Sequence, residues 1–130
     1  MDSASLEQVR VIDSTTGCPD LPIVVGAGHA KAVVWPGSGA HHRSMHVISL
    51  RSGATTTALR HPSDCVYYVL NGAGSIRDLA SGESKPLGEG AMVHIDAGDA
   101  YQFSADTEPF SVLGGPCPAD PQFYVHLTEG

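Results

Sequence analysis

Apolar residues in this chain recur in short runs broken by Gly, Pro, Asn and Ser, and the runs alternate with polar residues instead of following a helical period. The clearest alternation is MHVISLR at residues 45–51, where His46, Ile48 and Leu50 fall on one face and Met45, Val47, Ser49 and Arg51 on the other. Further strands are predicted at 9–12, 21–25, 30–35, 54–60, 65–70, 75–79, 85–87, 91–95, 100–104, 110–113 and 122–127, with no helix longer than a turn. In the strand at 54–60, alternation puts Thr55, Thr57, Leu59 and His61 on one face before Pro62 breaks the ladder. Asn71-Gly72 is the preferred dipeptide of a tight hairpin, which predicts that 75–79 returns beside 65–70. The 15 glycines and nine prolines punctuate these runs without clustering in a linker, a pattern suited to an all-β domain.

Composition narrows the picture. At 130 residues the chain has the length of one compact domain, expected to span 1–130. Fourteen acids against seven Lys and Arg give a formal charge of −7, and phosphate backbones are repelled by such a surface, so no nucleic-acid partner is expected. No apolar run approaches the roughly 20 residues that span a bilayer, and the start, MDSASLEQVR, lacks the pattern of a signal peptide. A soluble, cytoplasmic protein without a membrane partner is expected. Cys18, Cys65 and Cys117 form no framework spacing, so reduced thiols are expected. Cys18 and Cys117 lie in Pro- and Gly-rich loops and are read as incidental. His41 and His42 lie in a Gly-rich loop at 36–44 able to reach over an opening.

Two stretches carry more than strand pattern. Gly53 is followed after five residues by Leu59-Arg60-His61, three residues later by Cys65, and after six more by Gly72. Gly90 is followed after five residues by Asp96-Ala97-Gly98, then by Tyr101 and Ala105. These spacings resemble the two signature motifs of the cupin superfamily, at 53–72 and 90–105, and the segments VYYVLNGAG and 90–98 are similar to small single-domain bacterial cupins in more than spacing. The resemblance covers residues 44–127. It implies an all-β, double-stranded β-helix or jelly-roll barrel, a small-molecule substrate or ligand, and a homodimer paired through an edge strand or outer sheet face. It also implies that four motif side chains face the barrel interior. In ordinary cupins they are three His and one Glu holding a divalent metal; here they are Leu59, His61, Cys65 and Tyr101.

Three readings of this altered site remain open. In the first it is a metal-free pocket, in which His61, with an ordinary pKa of about 6.5, moves a proton while Tyr101 acts as a general acid or holds an enolate oxygen. In the second a divalent transition metal (zinc, iron or copper) persists on His61 and Tyr101, helped by Cys65, His46 or His94. In the third Cys65 is a nucleophile activated by His61. Leu59, His46, Tyr67, Met92 and Phe103 are the expected pocket wall, with Trp35 as core or wall, His94 as wall or surface, and His126 facing outward. The functions that follow are a non-hydrolytic proton-transfer enzyme (isomerase, cyclase or lyase) acting on a carbonyl-containing or aromatic metabolite, a metal-dependent dioxygenase with a changed ligand set, or a ligand-binding cupin without turnover.

Overall fold

A computed structural model describes residues 9–40 and 42–128. Eight antiparallel strands form one continuous sheet: β1 (Val24–Val25), β2 (Gly28–Val34), β3 (Met45–Leu50), β4 (Thr55–Thr56), β5 (Cys65–Asp78), β6 (Ser84–Gly88), β7 (Met92–Ile95) and β8 (Tyr101–Pro116). The spine is the ribbon of β5 and β8, which pair from Cys65↔Pro116 to Asp78↔Tyr101. At one end of the ribbon β8 carries β3 and β2 on its free edge while β5 carries β7. At the other end β8 carries β4 and β1 while β5 carries β6. The two ends curl over each other into a nearly closed barrel, and the inward side chains meet across it, as Tyr67 does Phe103 with ring centroids 5.0 Å apart.

Alternation decides what enters the core. In β3, His46, Ile48 and Leu50 are buried and Met45, Val47 and Ser49 only partly so, as the pattern predicts. β5 buries Cys65, Tyr67 and Val69 and leaves Val66, Tyr68 and Leu70 on the outer face. With Phe103, Phe110 and Val112 of β8 and Ala30 and Ala32 of β2, these residues fill the interior.

Several sequence expectations are corrected. Residues 71–72 make no hairpin: β5 runs straight through them, and the register against β8 slips between Val69 and Asn71 and again between Gly72 and Gly74. The Asn-Gly signal marks a bulge that bends the ribbon, and Gly72 takes a φ of 79° there. The runs at 100–104 and 110–113 are parts of one strand, because β8 pairs with β5 along its whole length. Residues 9–12 form no strand, and Val9 and Val11 are exposed. The strand at 54–60 shrinks to Thr55–Thr56, and its inward phase changes. Ala54 and Thr56 are buried, then Leu59 and His61, so one extra residue around Thr57 and Ala58 shifts the alternation.

The largest correction is at 122–127, which is helical: a 3-10 turn at Pro121–Tyr124 leads into α1 (Val125–Thr128). Asp120 caps it, its side chain accepting a hydrogen bond from the Gln122 N–H, and Pro121 supplies the fixed φ of a first helical residue. These end signals override the alternation of Phe123 and Val125. Among the described residues no helix is long and apolar enough to cross a membrane.

Candidate active site

Leu59 and Tyr101 exchange both backbone hydrogen bonds at 2.8 Å, and the His61 carbonyl accepts the Gly98 N–H at 2.8 Å. These bonds fix the segment that carries His61 against the start of β8. The imidazole is enclosed at 5% exposure and engaged at both nitrogens. Nδ1 is 2.7 Å from Oδ2 of Asp120 and Nε2 is 2.7 Å from the Tyr101 hydroxyl. A carboxylate only accepts, so Nδ1 carries the hydrogen, and in a neutral ring Nε2 is then an acceptor for the Tyr101 O–H. The Tyr67 hydroxyl lies 3.2 Å and the Cys65 sulfur 3.7 Å from the Tyr101 oxygen. The result is a buried chain of polar groups, Asp120, His61, Tyr101 and Tyr67, with Cys65 beside it.

Burial sets the protonation of these groups. It lowers the His61 pKa against the opposing hydrogen bond and charge of Asp120, which keeps the ring neutral at neutral pH. It pushes Tyr101 and Tyr67 far above an ordinary phenol, so both stay protonated and act as hydrogen-bond donors. Burial also pushes the Cys65 thiol up to about 11. A thiol in that state has little thiolate at neutral pH, which disfavours the nucleophile reading.

A second polar pair lies deeper. His46 is completely enclosed, and its Nε2 is 2.6 Å from the Tyr124 hydroxyl. Burial, followed by the charge of His61, lowers its pKa to about 4. The Phe123 ring touches both imidazoles, with centroids 4.6 Å from His46 and 4.7 Å from His61, so the two histidines belong to separate networks bridged by one aromatic ring. Trp35 packs on Tyr124 at 4.9 Å.

The structure thus brings together His61, Tyr101, Cys65 and Tyr67, with Leu59 and Phe103 buried nearby. Met92 is corrected: it is 67% exposed on the outer face of β7, paired with Tyr68, because residues inward on that strand have the parity of Val93 and Ile95. His94 shares the outer face of Met92 and approaches Asp96 at 3.6 Å. His126 is exposed and hydrogen-bonds the Asp20 carbonyl at 2.8 Å. His42 is exposed in its loop, and His41 lies outside the described residues. Asp120 and Tyr124, which hold the two histidines, escaped the sequence reading. An Asp-Pro step ahead of an aromatic pair is a helix-start signal, and it is the only trace of them in the sequence.

The donor set does not fit the metal centre that cupin barrels ordinarily carry. Leu59 offers no donor, both His61 nitrogens are taken, Cys65 is held as a thiol, and the His46 nitrogen nearest a partner is bonded to Tyr124. Among the described residues no three His, Cys, Asp or Glu side chains are grouped to hold an ion.

Two adjoining openings lead to His61. One, of about 430 Å³, has Ile23, Leu59 and Phe123 among its walls and His61 and Asp120 at its floor. The other, of about 500 Å³, runs along Pro62, Gly98 and Pro121 to the same two polar residues.

This architecture is that of the cupin barrels. The polyketide cyclase RemF from Streptomyces resistomycificus superposes with a TM-score of 0.71 at 15% identity, over 87% of this chain and 81% of that one. A RmlC-like cupin from Shewanella frigidimarina gives 0.69 at 16% identity, over 90% and 98%. The ectoine synthase from P. lautus gives 0.61 at 19% identity, over 87% and 77%. No family model matches the sequence, and no curated protein does.

Proposed function

We propose that the chain is a cupin-type small-molecule enzyme that moves a proton next to the carbonyl group of its substrate, in an isomerisation, cyclisation or elimination. The observation that supports this reading is the buried chain of Asp120, His61 and Tyr101, of which Asp120 and His61 line an open cleft. Asp120 holds Nδ1–H, so the Nε2 lone pair is the basic site. When a carbonyl compound reaches it, the Tyr101 O–H transfers its hydrogen bond from the imidazole to the substrate oxygen. Nε2 then takes the proton from the adjacent carbon, the electron pair moves onto the carbonyl oxygen, and Tyr101 holds the resulting enolate. Return of the proton to a different atom, or loss of a leaving group, completes turnover. RemF, whose fold is similar, is a polyketide cyclase, which makes cyclisation a first reaction to try on this chain.

Exchange of the α-protons of 2-tetralone in D2O, followed by proton NMR, tests the reading. The wild type accelerates exchange, His61→Ala abolishes the acceleration, and Tyr101→Phe and Asp120→Asn each reduce it about 100-fold. Because burial lowers His61, the activity limb falls below about pH 6.5, with activity lost as pH drops. Exchange at the buffer rate, or exchange untouched by His61→Ala, sinks the enzyme reading.

A second reading, a binding module without turnover, is favoured by one observation. The barrel interior is filled by Tyr67, Phe103 and Phe110, and the reactive nitrogen is already capped by Tyr101. It predicts that ligand affinity survives His61→Ala and Tyr101→Phe while no exchange occurs in any variant.

A further inference from the structure

The clefts over His61 carry a feature that the proton chemistry does not use. Arg60, adjacent to the imidazole in sequence and pointing to the opposite side of the backbone, is exposed and lines both openings. It has no hydrogen bond or ion pair among the described residues, and of the Lys and Arg side chains it is the one that lines these openings. Most of the remaining wall of the opening of about 430 Å³ is apolar, with Pro22, Ile23, Ala58, Leu59 and Phe123 contributing. A free guanidinium above such a wall, in a chain of net charge −7, is a local reversal of the field around the molecule.

We infer that the cleft takes an apolar monocarboxylate, its carboxylate gripped by the Arg60 fork and its body laid on Leu59, Ile23 and Phe123 toward His61. The inference rests on the reading of this cleft as the working site and names the class of substrate. A planar fork with parallel N–H groups matches a carboxylate in bidentate geometry. A phosphate dianion fits less well: the other charged group lining both openings is acidic, the Asp120 carboxylate, and no second Lys or Arg lines either one. The Asp120 oxygens are already used, one by His61 and one by the Gln122 N–H, which limits their repulsion of a single negative charge held at the rim. The anchored end sets the distance at which a carbonyl along the body meets Nε2, so the guanidinium acts on binding and orientation and leaves the proton transfer to His61.

Binding of 2-naphthoate and of uncharged 2-naphthamide to the full chain, followed by nitrogen-15 NMR titration, decides the matter without requiring turnover. The expected result is that naphthoate binds about 10-fold more tightly than naphthamide, shifts the amides of residues 58–61 and 122–123, and weakens as salt is raised. Arg60→Gln removes the preference and leaves naphthamide binding unchanged, and Arg60→Lys keeps part of it. Arg60 is exposed, and an unperturbed amide spectrum for each variant verifies that the barrel is intact. Equal affinity for the two probes, absence of binding by both, or a preference that survives Arg60→Gln overturns the inference. Failure of the enzyme reading is distinguishable, since naphthoate selectivity with no α-proton exchange retains the carboxylate site and removes only the catalysis.

Discussion

His46 is fully enclosed, yet its Nδ1 has no hydrogen-bond partner among the described residues while its Nε2 is held by Tyr124. An unsatisfied ring nitrogen in an apolar surrounding is tolerable only while the imidazole is neutral. The unfolded chain protonates the same residue at about 6.5 and the folded one at about 4, so between those values the unfolded state binds more protons and stability falls as pH falls. At about 1.4 kcal/mol per pH unit the full loss is roughly 3 kcal/mol, complete near pH 4. His46→Gln keeps a hydrogen-bonding group for Tyr124 but does not titrate. Its thermal midpoint is expected to fall less than that of the wild type between pH 7 and pH 4, and equal falls refute the assignment. Histidine type and parity placed His46 inside from the sequence alone. Its partner was illegible, because Tyr124 lies 78 residues away and meets it only through the folded barrel.

Elements were legible where one face is buried and misread where a second signal competes. β3 and the first half of β5 follow their alternation, since a one-residue slip would send every inward side chain to solvent. Asn71-Gly72 reads locally as a hairpin, and only the long-range pairing of β5 with β8 converts it to a bulge. The helical segment after Asp120 was hidden for the opposite reason, its cap and proline outweighing an alternation too short to hold a strand. The bulge gives a test at this scale. A Cβ on Gly72 would collide with the Pro109 carbonyl oxygen, and the φ of 79° strains any L side chain besides. Gly90, with a φ of 88°, has nothing near its missing Cβ. Gly72→Ala is therefore expected to cost about 2–4 kcal/mol in urea unfolding and Gly90→Ala only about 1 kcal/mol. Similar losses for the two would mean that β5 does not press on the 109–110 corner.

At the scale of the whole molecule, the two curled ends of the sheet supply one histidine each, His46 from β3 and His61 from the segment after β4, and neither end supplies the group that joins them. That comes from the C-terminal segment, which brings Asp120 to His61, Tyr124 to His46 and the Phe123 ring against both. Side-chain bonds tie this segment to the barrel, Asp120 to His61, Tyr124 to His46 and His126 to the Asp20 carbonyl. Phe123 thus carries packing for both ends at once. Its truncation to Ala is expected to cost about 3–5 kcal/mol, a large share of the 5–15 kcal/mol that stabilises a domain of this size. Water admitted beside the rings relieves the burial that lowers both histidines, so their pKa values move up toward about 6.5 in carbon-bound proton NMR titrations. The two histidines are expected to shift together in Phe123→Ala. Tyr124→Phe removes only the hydroxyl bonded to His46 and is expected to move that histidine alone. A Phe123→Ala variant in which only one imidazole responds would show that the networks do not share this ring as their common wall.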